Sequence, residues 1–376
     1  MRPLLGGCAS VETLASVLVR EDVVTEEREI TAGWLTEVLG RAGALLSGRV
    51  VSVAVALGGA SWSRHARLRL SYSPDSSGER PEGLFLKICA GDAAVFGPSE
   101  VHYYTRDYVA HPDAPLPRCY DAAYRETPRA YHLLLEDLSE THVDGFQVEP
   151  TLEVGQGVAA ALARLHAVHW GASGLRAAGM PVAGEPELGR YFGWIERGLE
   201  PLLAAAGDAL GPAGGEVLER VFARHPAAML RRTDRLNGFT LVHGDTNPGN
   251  LLLPRQPPGP VYVIDRQPFD WSLQGWLAAS DLAILMVLHW EERARRELEV
   301  AVLRHYRVAL GEAGVDLSWD DLLRDYRFSV AQCLEFAVEW CVLPKDRTGM
   351  RWLWERQLRR SLAAWEELGC AELLEG

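Results

Sequence analysis

Two acidic residues and an amide stand close together in the sequence, beside short apolar runs. Residues 241–250 read LVHGDTNPGN, with Asp245 five positions before Asn250, and the later run VYVI is closed by Asp265. If the apolar runs are adjacent short strands, these three side chains lie at the strand ends and can face one point. Mg²⁺ prefers such oxygen ligands, taking one or two carboxylates together with substrate phosphates and water. The spacing therefore predicts a site for a divalent cation.

Lysine is nearly absent from this chain, which makes one lysine informative. Of the 38 basic residues only Lys87 and Lys345 are lysines, and Lys87 lies in the strand-like apolar run LFLKICA. A compact ammonium on a flexible stem can serve a ligand in ways that a planar guanidinium cannot. A functional lysine is one interpretation of this position, and an edge-strand lysine left by chance is the other.

Alternating apolar residues dominate the part of the chain around Lys87. Residues 11–45 carry two helical patterns, the second with Thr31 as its N-cap. RVVSVAVAL and ARLRLSY alternate on either side of a glycine-rich turn and predict a hairpin, and LFLKICA predicts a third strand. A short helix opening at Ser99 and two strands, around PRCYDAAY and AYHLLLEDL, follow. The pattern predicts a small mixed lobe over residues 1–138 with an antiparallel sheet.

Helical periodicity replaces alternation in the rest of the chain. One amphipathic helix starts after Thr151, and further helices are expected over about 188–230, 275–313 and 318–370. The strand-like islands are FTLVHGD, NLLLP and VYVIDRQ, with the turn PRQPPGP between the last two. Residues 139–376 are expected to form a larger, mainly helical lobe, with its chemistry on a loop at 241–267. The predicted fold class is α+β, with two lobes.

Composition and charge narrow the class of protein. The chain has 376 residues, 48% of them hydrophobic and 24% charged, enough for a sizeable core and for two domains or one two-lobed body. A formal net charge of −13 argues against nucleic acid as a partner and mildly favours a neutral or cationic small substrate. No apolar run reaches the roughly 18–20 residues of a membrane span.

The cysteines and the amino terminus predict a cytoplasmic protein. The six cysteines show neither the spacing of a metal finger nor a dense disulfide framework, so reduced thiols are expected. The apolar stretch before Cys8 is shorter than the roughly 7–15 residues of a signal-peptide core. The sequence does not indicate an oligomeric state.

The motif HGDTNPGN resembles the catalytic loop of kinase-like small-molecule phosphotransferases, a group that includes aminoglycoside phosphotransferases, choline kinases and ecdysteroid-kinase-like proteins. The resemblance implies a bilobal protein-kinase-like fold and transfer of the γ-phosphate of ATP, or of GTP, to a hydroxyl of a small molecule. It makes Asp245 the catalytic base and Asn250 and Asp265 the ligands of Mg²⁺. An antibiotic, an aminoalcohol or a secondary metabolite all suit such a site, and the fold does not choose among them.

Two further residues are implied to support this loop. In the family an Asp-Leu-Ala opens a helix after the metal aspartate, and here that triplet begins at Asp281. We expect Asp281 to accept hydrogen bonds from the backbone of residues 243–245 or from His243. An acid favoured by the helix dipole is the alternative for Asp281. His166, in a Leu-His-Ala sequence, is interpreted as a satisfied interior histidine rather than a catalytic one.

The amino-terminal half resembles the nucleotide-binding part of the same family. Lys87 and Glu100 look like the pair that holds the α- and β-phosphates, although an acid in a first helical turn also explains Glu100. GGASWS stands where a GxGxxG loop is common elsewhere. Ser61 or Ser63, with the neighbouring backbone amides, is expected to cover the phosphates.

The segment LLLEDLSETH supports two predictions. Its first part resembles the hinge between lobes, where backbone groups around Glu136 and Leu138 would read the adenine edge. Together with SEVHYY, PLPRCYDAAY, IDRQ and the early TAGWL, it resembles the ecdysteroid-kinase-like group more than the antibiotic kinases. The resemblance covers most of residues 30–290.

Several alternatives remain open at this stage. If the protein were a non-catalytic nucleotide-binding module, we would expect other residue types at some of the positions implied to act in catalysis. All of the implied residues are present. A metallohydrolase with His243 and Asp245 as ligands needs further ligands, which the flanks lack. Arg266 can help to bind phosphate or face solvent. Glu335 and Glu339, one helical turn apart, can line a pocket for a cationic group or form an exposed helix face.

Overall fold

The structure, a computed structural model, describes residues 22–59, 63–90, 97–180, 184–267 and 274–374. These residues form two units, one that ends at Glu140 and one that begins at Thr141. Ser61 and the start of the first expected helical pattern lie outside the described residues. From residue 22 onward, that pattern holds only a 3-10 turn at Glu27–Glu29 before the second helix.

Antiparallel strands form most of the first unit. They are β1 (Leu45–Ser47), β2 (Val50–Gly59), β3 (Arg64–Tyr72), β4 (Ser77–Gly78), β5 (Gly83–Ala90), β6 (Cys119–Glu126) and β7 (Arg129–Glu136). Five of them make one sheet in the order β2-β3-β5-β7-β6, and β1 pairs with β4. The expected hairpin, third strand and two later strands are confirmed, since β2 pairs with β3, β3 with β5 and β6 with β7, all antiparallel.

A single helix, α1 (Ala32–Arg41), packs on one face of this sheet. Thr31 caps it as expected, because its hydroxyl oxygen accepts the Trp34 amide at 3.1 Å. The expected continuation of the helix to residue 45 is wrong. Gly43 turns the chain with φ +70°, and Leu45 already belongs to β1. The core between helix and sheet includes Leu35, Val38, Leu39, Leu68, Leu84 and Leu86.

The other face of the sheet carries basic and aromatic side chains. Side chains alternate along a strand, so the neighbours of the buried Ala66 and Leu86 point away from α1. These neighbours are His65 and Arg67 on β3 and Phe85 and Lys87 on β5. Because β5 pairs with β3 on one side and β7 on the other, Lys87 does not lie on an edge strand. The interpretation of this residue as an edge-strand lysine is therefore wrong.

A short helix after β5 completes the part of the first unit that concerns function. It is α2 (Ser99–His102), which begins at Ser99 as expected. The sequence pattern predicted one helix through residue 110, whereas the chain continues as a π-helical turn over Tyr103–Asp107. Glu100 lies in α2 and is only 1% exposed.

Helices dominate the second unit. They are α3 (Leu152–Val168), α4 (Gly171–Ala177), α5 (Glu185–Ile195), α6 (Leu199–Ala206), α7 (Gly214–Arg232), α8 (Ala279–Ala283), α9 (Glu292–Glu312), α10 (Trp319–Glu339), α11 (Pro344–Gly349) and α12 (Arg351–Glu367). A π-helical segment, Ile284–His289, continues α8. Among the described helices, none combines the length and the apolar character that a bilayer span requires.

The long helices expected from the sequence are broken into shorter ones. Between α6 and α7 the chain turns at Gly207 and Gly211, whose φ angles are +49° and +62°. Pro344 stands at the first position of α11, where proline is tolerated, and separates α11 from α10. Because helical periodicity continues across these breaks, the sequence pattern predicted one long helix where the structure has several short ones.

Among the described residues of the second unit, five short strands lie between the helices. They are β8 (His142–Asp144), β9 (Phe239–Leu241), β10 (Leu251–Pro254), β11 (Tyr262–Val263) and β12 (Gly275–Leu277). β10 pairs antiparallel with β11 and with β8, and β9 pairs with β12. The turn predicted between β10 and β11 is confirmed. β8 was not predicted. The expectation that a helix begins at residue 275 is wrong, because residues 275–277 pair with β9 as the strand β12.

Candidate active site

The loop between β9 and β10 is shaped by its Asn-Pro-Gly-Asn sequence. Asn247 precedes a proline and is extended, and its side-chain oxygen accepts the Gly249 amide at 2.8 Å. A 3-10 turn over Pro248–Asn250 then enters β10 directly. Asn250 is thereby held directly before the first residue of β10, while Asp245 lies earlier in the same loop.

Asp281, in α8, anchors the start of this loop. Its carboxylate accepts the backbone amides of His243 and Gly244, both at 2.8 Å, and its carbonyl accepts the Thr246 hydroxyl. Gly244 has φ +83°, a conformation that favours glycine and that turns consecutive amides toward one acceptor. These are the hydrogen bonds that the sequence predicted for Asp281.

His166, on α3, supports Asp281 in turn. Its Nε2 lies 2.9 Å from the Asp281 carboxylate and its Nδ1 lies 2.7 Å from the Tyr306 hydroxyl. Both nitrogens have partners and the ring is fully buried, as expected of an interior histidine. Burial alone would raise the pKa of Asp281, but the hydrogen bond and charge of His166 and the Gly244 amide hold that pKa below its ordinary value. Asp281 is therefore an ionised anchor.

Asp245, Asn250 and Asp265 come together at the ends of β9, β10 and β11. The Asn250 side-chain amide donates to the Asp245 carboxylate at 3.1 Å and to the Asp245 and Asp265 carbonyls at 2.8 and 3.5 Å. Asn247 donates to the other carboxylate oxygen of Asp245 at 2.9 Å. The side-chain nitrogen of Asn250 is thus used within the loop, and no donor among the described residues reaches its side-chain oxygen.

The carboxyl group of Asp245 is less acidic than that of an ordinary aspartate. Burial raises its pKa to about 6, and the negative charges of Asp265 and Asp281 act in the same direction. The hydrogen bonds from Asn247 and Asn250 oppose this rise. A carboxylate with such a pKa is still ionised at neutral pH and accepts a proton more readily than an exposed aspartate does.

His243 connects the loop to the strand that precedes Asp265. Its Nε2 donates to the Ile264 carbonyl at 2.8 Å, and its Nδ1 accepts the Asp245 amide at 3.3 Å. Burial lowers its pKa to about 4 in spite of the nearby Asp281 charge, so the ring is neutral. Both nitrogens are engaged, and no group of three or more His, Cys, Asp or Glu in the described chain is arranged to hold a metal. The metallohydrolase interpretation is not supported.

Asp265 has a backbone conformation that is unusual for a residue other than glycine. Its φ is +61°, and in the described chain only Arg80 shares a positive φ among non-glycine residues. Such a conformation costs on the order of 1 kcal/mol and persists where the surroundings fix it, often at functional sites. Here His243 holds the preceding carbonyl of Ile264, and Asn250 approaches the carbonyl of Asp265 itself.

Arg266 is an interior residue, so its expected alternative as a solvent-facing cation is wrong. The side chain is 1% exposed. Its Nε donates to the Val242 carbonyl at 3.1 Å, and one terminal nitrogen lies 3.4 Å from the Gln274 side-chain oxygen. The guanidinium therefore links the segment after β11 to Val242, the residue that directly follows β9.

In the first unit, the structure brings Lys87 and Glu100 together. The Lys87 ammonium lies 2.7 Å from the Glu100 carboxylate, and both side chains are buried. The Tyr131 hydroxyl donates to the same carboxylate oxygen at 2.5 Å. Glu100 is also the acid in the first turn of α2, so both interpretations of it hold. Since the chain has only two lysines, a buried lysine that is paired with a glutamate is the strongest indication of a functional residue in this unit.

The predicted hinge is partly occupied by its own hydrogen bonds. The Glu136 amide donates to the Arg118 carbonyl at 2.9 Å, so it is not available to a ligand. The Asp137 carboxylate accepts the Ser139 amide at 3.0 Å, which gives that side chain a structural role as expected. Leu138 is buried, and Ser63 is partly buried directly before β3.

Two glutamates of α10 lie in different surroundings. Glu335 is fully buried with its Oε1 2.5 Å from His225 Nδ1, so an exposed face is wrong for this residue. Glu339 is partly buried, and no side-chain hydrogen bond to it exists among the described residues. Burial, together with the charges of Asp245 and Asp346, raises the pKa of Glu339 to about 8. The interaction with Asp245 shows that this carboxyl group lies in the neighbourhood of the loop.

Sequence reasoning missed several residues that shape the site. Asn247 positions Asp245, Tyr131 positions Glu100, and Tyr306 positions His166. Asn247 carries a local signal, because asparagine before proline commonly turns the chain with its side chain. The two tyrosines carry none, since their partners are distant in sequence.

Comparison with known proteins places the chain in a family and a fold. A sequence profile of the phosphotransferase enzyme family matches residues 76–317, more than half of the chain. No curated protein matches the chain at a significant level. A solved spectinomycin phosphotransferase, in complex with ADP and spectinomycin, is 12% identical, with a TM-score of 0.53 over 92% of this chain and 98% of the other.

Two other solved structures are similar to the same degree. A choline kinase from Cryptosporidium parvum Iowa II is 12% identical, with a TM-score of 0.55 over 86% of this chain and 91% of the other. An ethanolamine kinase from Plasmodium vivax is 10% identical, with a TM-score of 0.53 over 96% of this chain and 95% of the other. At such identities the likeness shows the fold, which is kinase-like with a sheet-rich amino-terminal part and a mainly helical carboxy-terminal part.

The family match confirms the broader of the two resemblances seen in the sequence. The narrower resemblance, to the ecdysteroid-kinase-like group, is not tested by these comparisons and stays a prediction. On the strength of the profile match over residues 76–317, the chain belongs to the phosphotransferase enzyme family.

Proposed function

We propose that this protein transfers the γ-phosphate of ATP, or of GTP, to a hydroxyl group of a small molecule, with Asp245 as the catalytic base. The observation that carries the proposal is that Asp245, Asn250 and Asp265 lie together. The Asn250 side-chain amide donates to the Asp245 carboxylate and to the backbone carbonyls of Asp245 and Asp265, and the charge of Asp265 acts on the Asp245 carboxyl group. Phosphoryl transfer requires an oriented acceptor hydroxyl and positive charge near the phosphate oxygens. A base and two further oxygen-bearing side chains in one place suit both requirements.

Asp245 is the residue suited to act on the acceptor. Its two carboxylate oxygens each accept one amide hydrogen bond, from Asn247 and from Asn250, and acceptor capacity remains on both oxygens. Its pKa of about 6 keeps it ionised near neutral pH. In the proposal it accepts a hydrogen bond from the acceptor hydroxyl and takes its proton as the acceptor oxygen bonds to the γ-phosphorus. The bond from that phosphorus to the β–γ bridging oxygen breaks, and the nucleoside diphosphate leaves.

Asn250 and Asp265 would hold Mg²⁺. These two residues suit Mg²⁺ through their oxygen atoms. The side-chain nitrogen of Asn250 donates to Asp245, so the side-chain oxygen of Asn250 points away from Asp245, and Asp265 adds a carboxylate. Both are hard oxygen donors of the kind that Mg²⁺ binds beside phosphate. When bound, the ion supplies positive charge to the phosphate oxygens. Asp281 of α8 and the loop residue His243 keep the two ligands in position.

In the first unit, Lys87 would hold the phosphates of the nucleotide. Its ammonium is kept in place by Glu100, which is itself fixed by Tyr131, so the cation is oriented before any ligand arrives. Ser63, together with Ser61 and neighbouring amides, would cover the phosphates. Backbone groups from residue 137 to Leu138 would read the base, since the Glu136 amide already has a partner.

The acceptor that this site favours carries an amine as well as a hydroxyl. Glu339 has no cationic partner among the described residues, and its charge interacts with that of Asp245. With a pKa of about 8, Glu339 is largely protonated at neutral pH, and an ammonium group beside it would favour its ionised form and pair with it. Two of the similar solved proteins are a choline kinase and an ethanolamine kinase, which fits an aminoalcohol.

A direct screen tests the proposal. Purified protein is incubated with ATP and Mg²⁺ and a panel of aminoalcohols, amine-bearing hydroxylated antibiotics, neutral sugars and sterols, and adducts heavier by one phosphate are sought by mass spectrometry. We expect adducts among the amine-bearing alcohols. Sterol adducts alone would instead favour the ecdysteroid-kinase-like resemblance. Nucleotide binding without any adduct across the panel would favour the non-catalytic module.

The role of Glu339 has its own test. Glu339→Gln keeps the shape but cannot ionise beside an ammonium group, so the KM for an amine-bearing acceptor is expected to rise by about tenfold or more, with a smaller effect on kcat. Glu366→Gln, on α12 and exposed, is the matched control. Equal KM values for the two variants would remove Glu339 from the acceptor site without touching the assignment of Asp245.

A further inference from the structure

His65 lies on the same face of the first-unit sheet as Lys87. The Cα atoms of the two residues are direct partners in the antiparallel ladder between β3 and β5. Directly paired residues on one face have neighbouring side chains, with Cβ atoms about 4.5–5.5 Å apart. A ligand that contacts the Lys87 ammonium is therefore within reach of the imidazole ring. Nothing in the proposed mechanism uses this histidine.

The position of the imidazole ring is fixed on two sides. It stacks on the ring of Phe85, with centroids 5.5 Å apart and planes inclined by 24°. On the other side it extends over Gly58 of β2, where an added Cβ atom would lie 2.2 Å from His65 Nε2. Only glycine at position 58 leaves room for the ring in this place. The sequence thus places an aromatic ring on one side of His65 and a residue without a side chain on the other.

The ring is held by packing alone, so its nitrogens are open to a ligand. Within the described part of the chain, neither ring nitrogen has a hydrogen-bond partner. Burial lowers the pKa of His65 below its ordinary value, and the positive charge of Arg67 lowers it further. The ring is therefore neutral at neutral pH, with one N–H donor and one free acceptor.

The charges that face His65 come from its own strand and from β5. Arg67 on β3 and Lys87 on β5 are cations, whereas β2 presents only glycine and alanine at this point. Lys87 is paired with Glu100, and Arg67 lies 3.9 Å from Asp137. An anion that arrives here meets cations that are already partly neutralised and a histidine that can still take a proton.

We propose that His65 is a nucleotide-binding residue that takes up a proton from solvent when a triphosphate binds beside Lys87. The proposal rests on the nucleotide site of the proposed function. Phosphate oxygens close to an imidazole favour its charged form, which reverses the influence of burial and of Arg67. The resulting imidazolium donates hydrogen bonds from both nitrogens, and the negative charge of the ligand is then matched by one more cation.

Calorimetry of ATP·Mg²⁺ binding tests this at about pH 7, close to the ordinary His range. Binding heats measured in two buffers of different ionisation enthalpy give the number of protons taken up. We expect the wild-type protein to take up roughly 0.3–1 proton more than His65→Phe, which keeps the stacked ring but cannot titrate. The variant is also expected to bind about tenfold more weakly.

Two further variants make the test specific. His111→Phe removes an exposed histidine of the same unit and should bind nucleotide with the wild-type proton count. Gly58→Ala places a methyl group where the ring lies and should lower the proton uptake while Lys87 and Glu100 stay paired. Equal proton uptake in wild type and His65→Phe overturns the inference and leaves the proposed function intact. Absence of ATP·Mg²⁺ binding in the wild type is a failure of the proposed function itself.

Discussion

The loop between β9 and β10 in the second unit and the sheet face of the first unit that carries Lys87 and His65 hold their charged groups in different ways. At the loop, the carboxylates of Asp245 and Asp281 each accept two hydrogen bonds from amides, Asp245 from the side chains of Asn247 and Asn250 and Asp281 from the backbone. On the sheet face Lys87 is fixed by a short, buried ion pair with Glu100, while His65 is held by packing. The first arrangement is preorganised, and the second can adapt to a ligand.

This difference corresponds to two kinds of work. A residue that acts on a reacting atom must be held close to its productive geometry, and hydrogen bonds within the loop do this before a substrate is present. A residue that binds phosphate gains from a cation that can shift its position or its protonation. The two aspartates of the loop region show the distinction in detail, because burial raises the pKa of Asp245 while the His166 contact holds that of Asp281 low.

The largest expected effect comes from removing the base. Asp245→Asn keeps the shape of the side chain and removes the proton acceptor, so the transfer rate is expected to fall by about 10²–10⁴-fold. Nucleotide binding should stay within about threefold of wild type, because the variant leaves Lys87 and Glu100 unchanged. ADP release and adduct formation measure the rate, and calorimetry measures the binding.

Asp208→Asn is the matched control for this variant, since Asp208 is an exposed aspartate of the same unit. It should transfer phosphate at the wild-type rate. A normal rate in Asp245→Asn would place the base elsewhere and would remove the basis for calling this loop the reacting part of the protein.

The anchor should be more important for stability than any residue of the sheet face. Asp281→Asn leaves one of the amides of His243 and Gly244 without its charged acceptor inside a buried site. The free energy of unfolding is expected to fall by about 2–4 kcal/mol, measured by urea denaturation with Asp208→Asn for comparison. A loss no larger than that of the control would show that the loop does not depend on this carboxylate for its structure.

The two lysines allow a clean test of the sheet face. Lys87→Arg retains the positive charge but replaces a compact ammonium by a longer planar group in a buried position beside Glu100. Nucleotide affinity is expected to fall by about tenfold, with little change in the unfolding of the second unit. Lys345→Arg, at an exposed position of α11, should bind nucleotide as the wild type does. Equal affinities for the two variants would contradict a phosphate-binding role of Lys87.

Much of the site could be predicted from sequence, because its signals are local. The spacing of Asp245 and Asn250, the apolar run before Asp265 and the triplet that opens at Asp281 each occupy a few consecutive residues. The strands around Lys87 were also visible, since period-two alternation over seven or more residues is typical of a half-buried strand and not of a helix. These features depend on neighbours in the chain.

The parts that were wrong or missed depend on contacts between distant residues. The burial of Arg266 and Glu335 follows from partners that lie far away in sequence, Val242 and His225. The end of α1 at Arg41 and the breaks near Gly207 were hidden because helical periodicity continues through them. The strand β12 was too short to show a period, although it pairs along the whole of β9.

The smallest expected effect concerns the tuning of the base by its neighbours. Because the pKa of Asp245 is raised to about 6, its active ionised form is lost as the pH falls through that value, and kcat/KM should fall tenfold for each pH unit below it. Asn247→Ala removes one hydrogen bond that favours the ionised form, so the acidic limb should move upward by about half to one pH unit. Asn237→Ala, an exposed asparagine of the same unit, should leave the limb in place. A limb that does not move in Asn247→Ala, or one that moves downward, would mean that the loop does not set the acidity of its base through this contact, and the contrast between a preorganised loop and an adaptable sheet face would then rest on Asp281 alone.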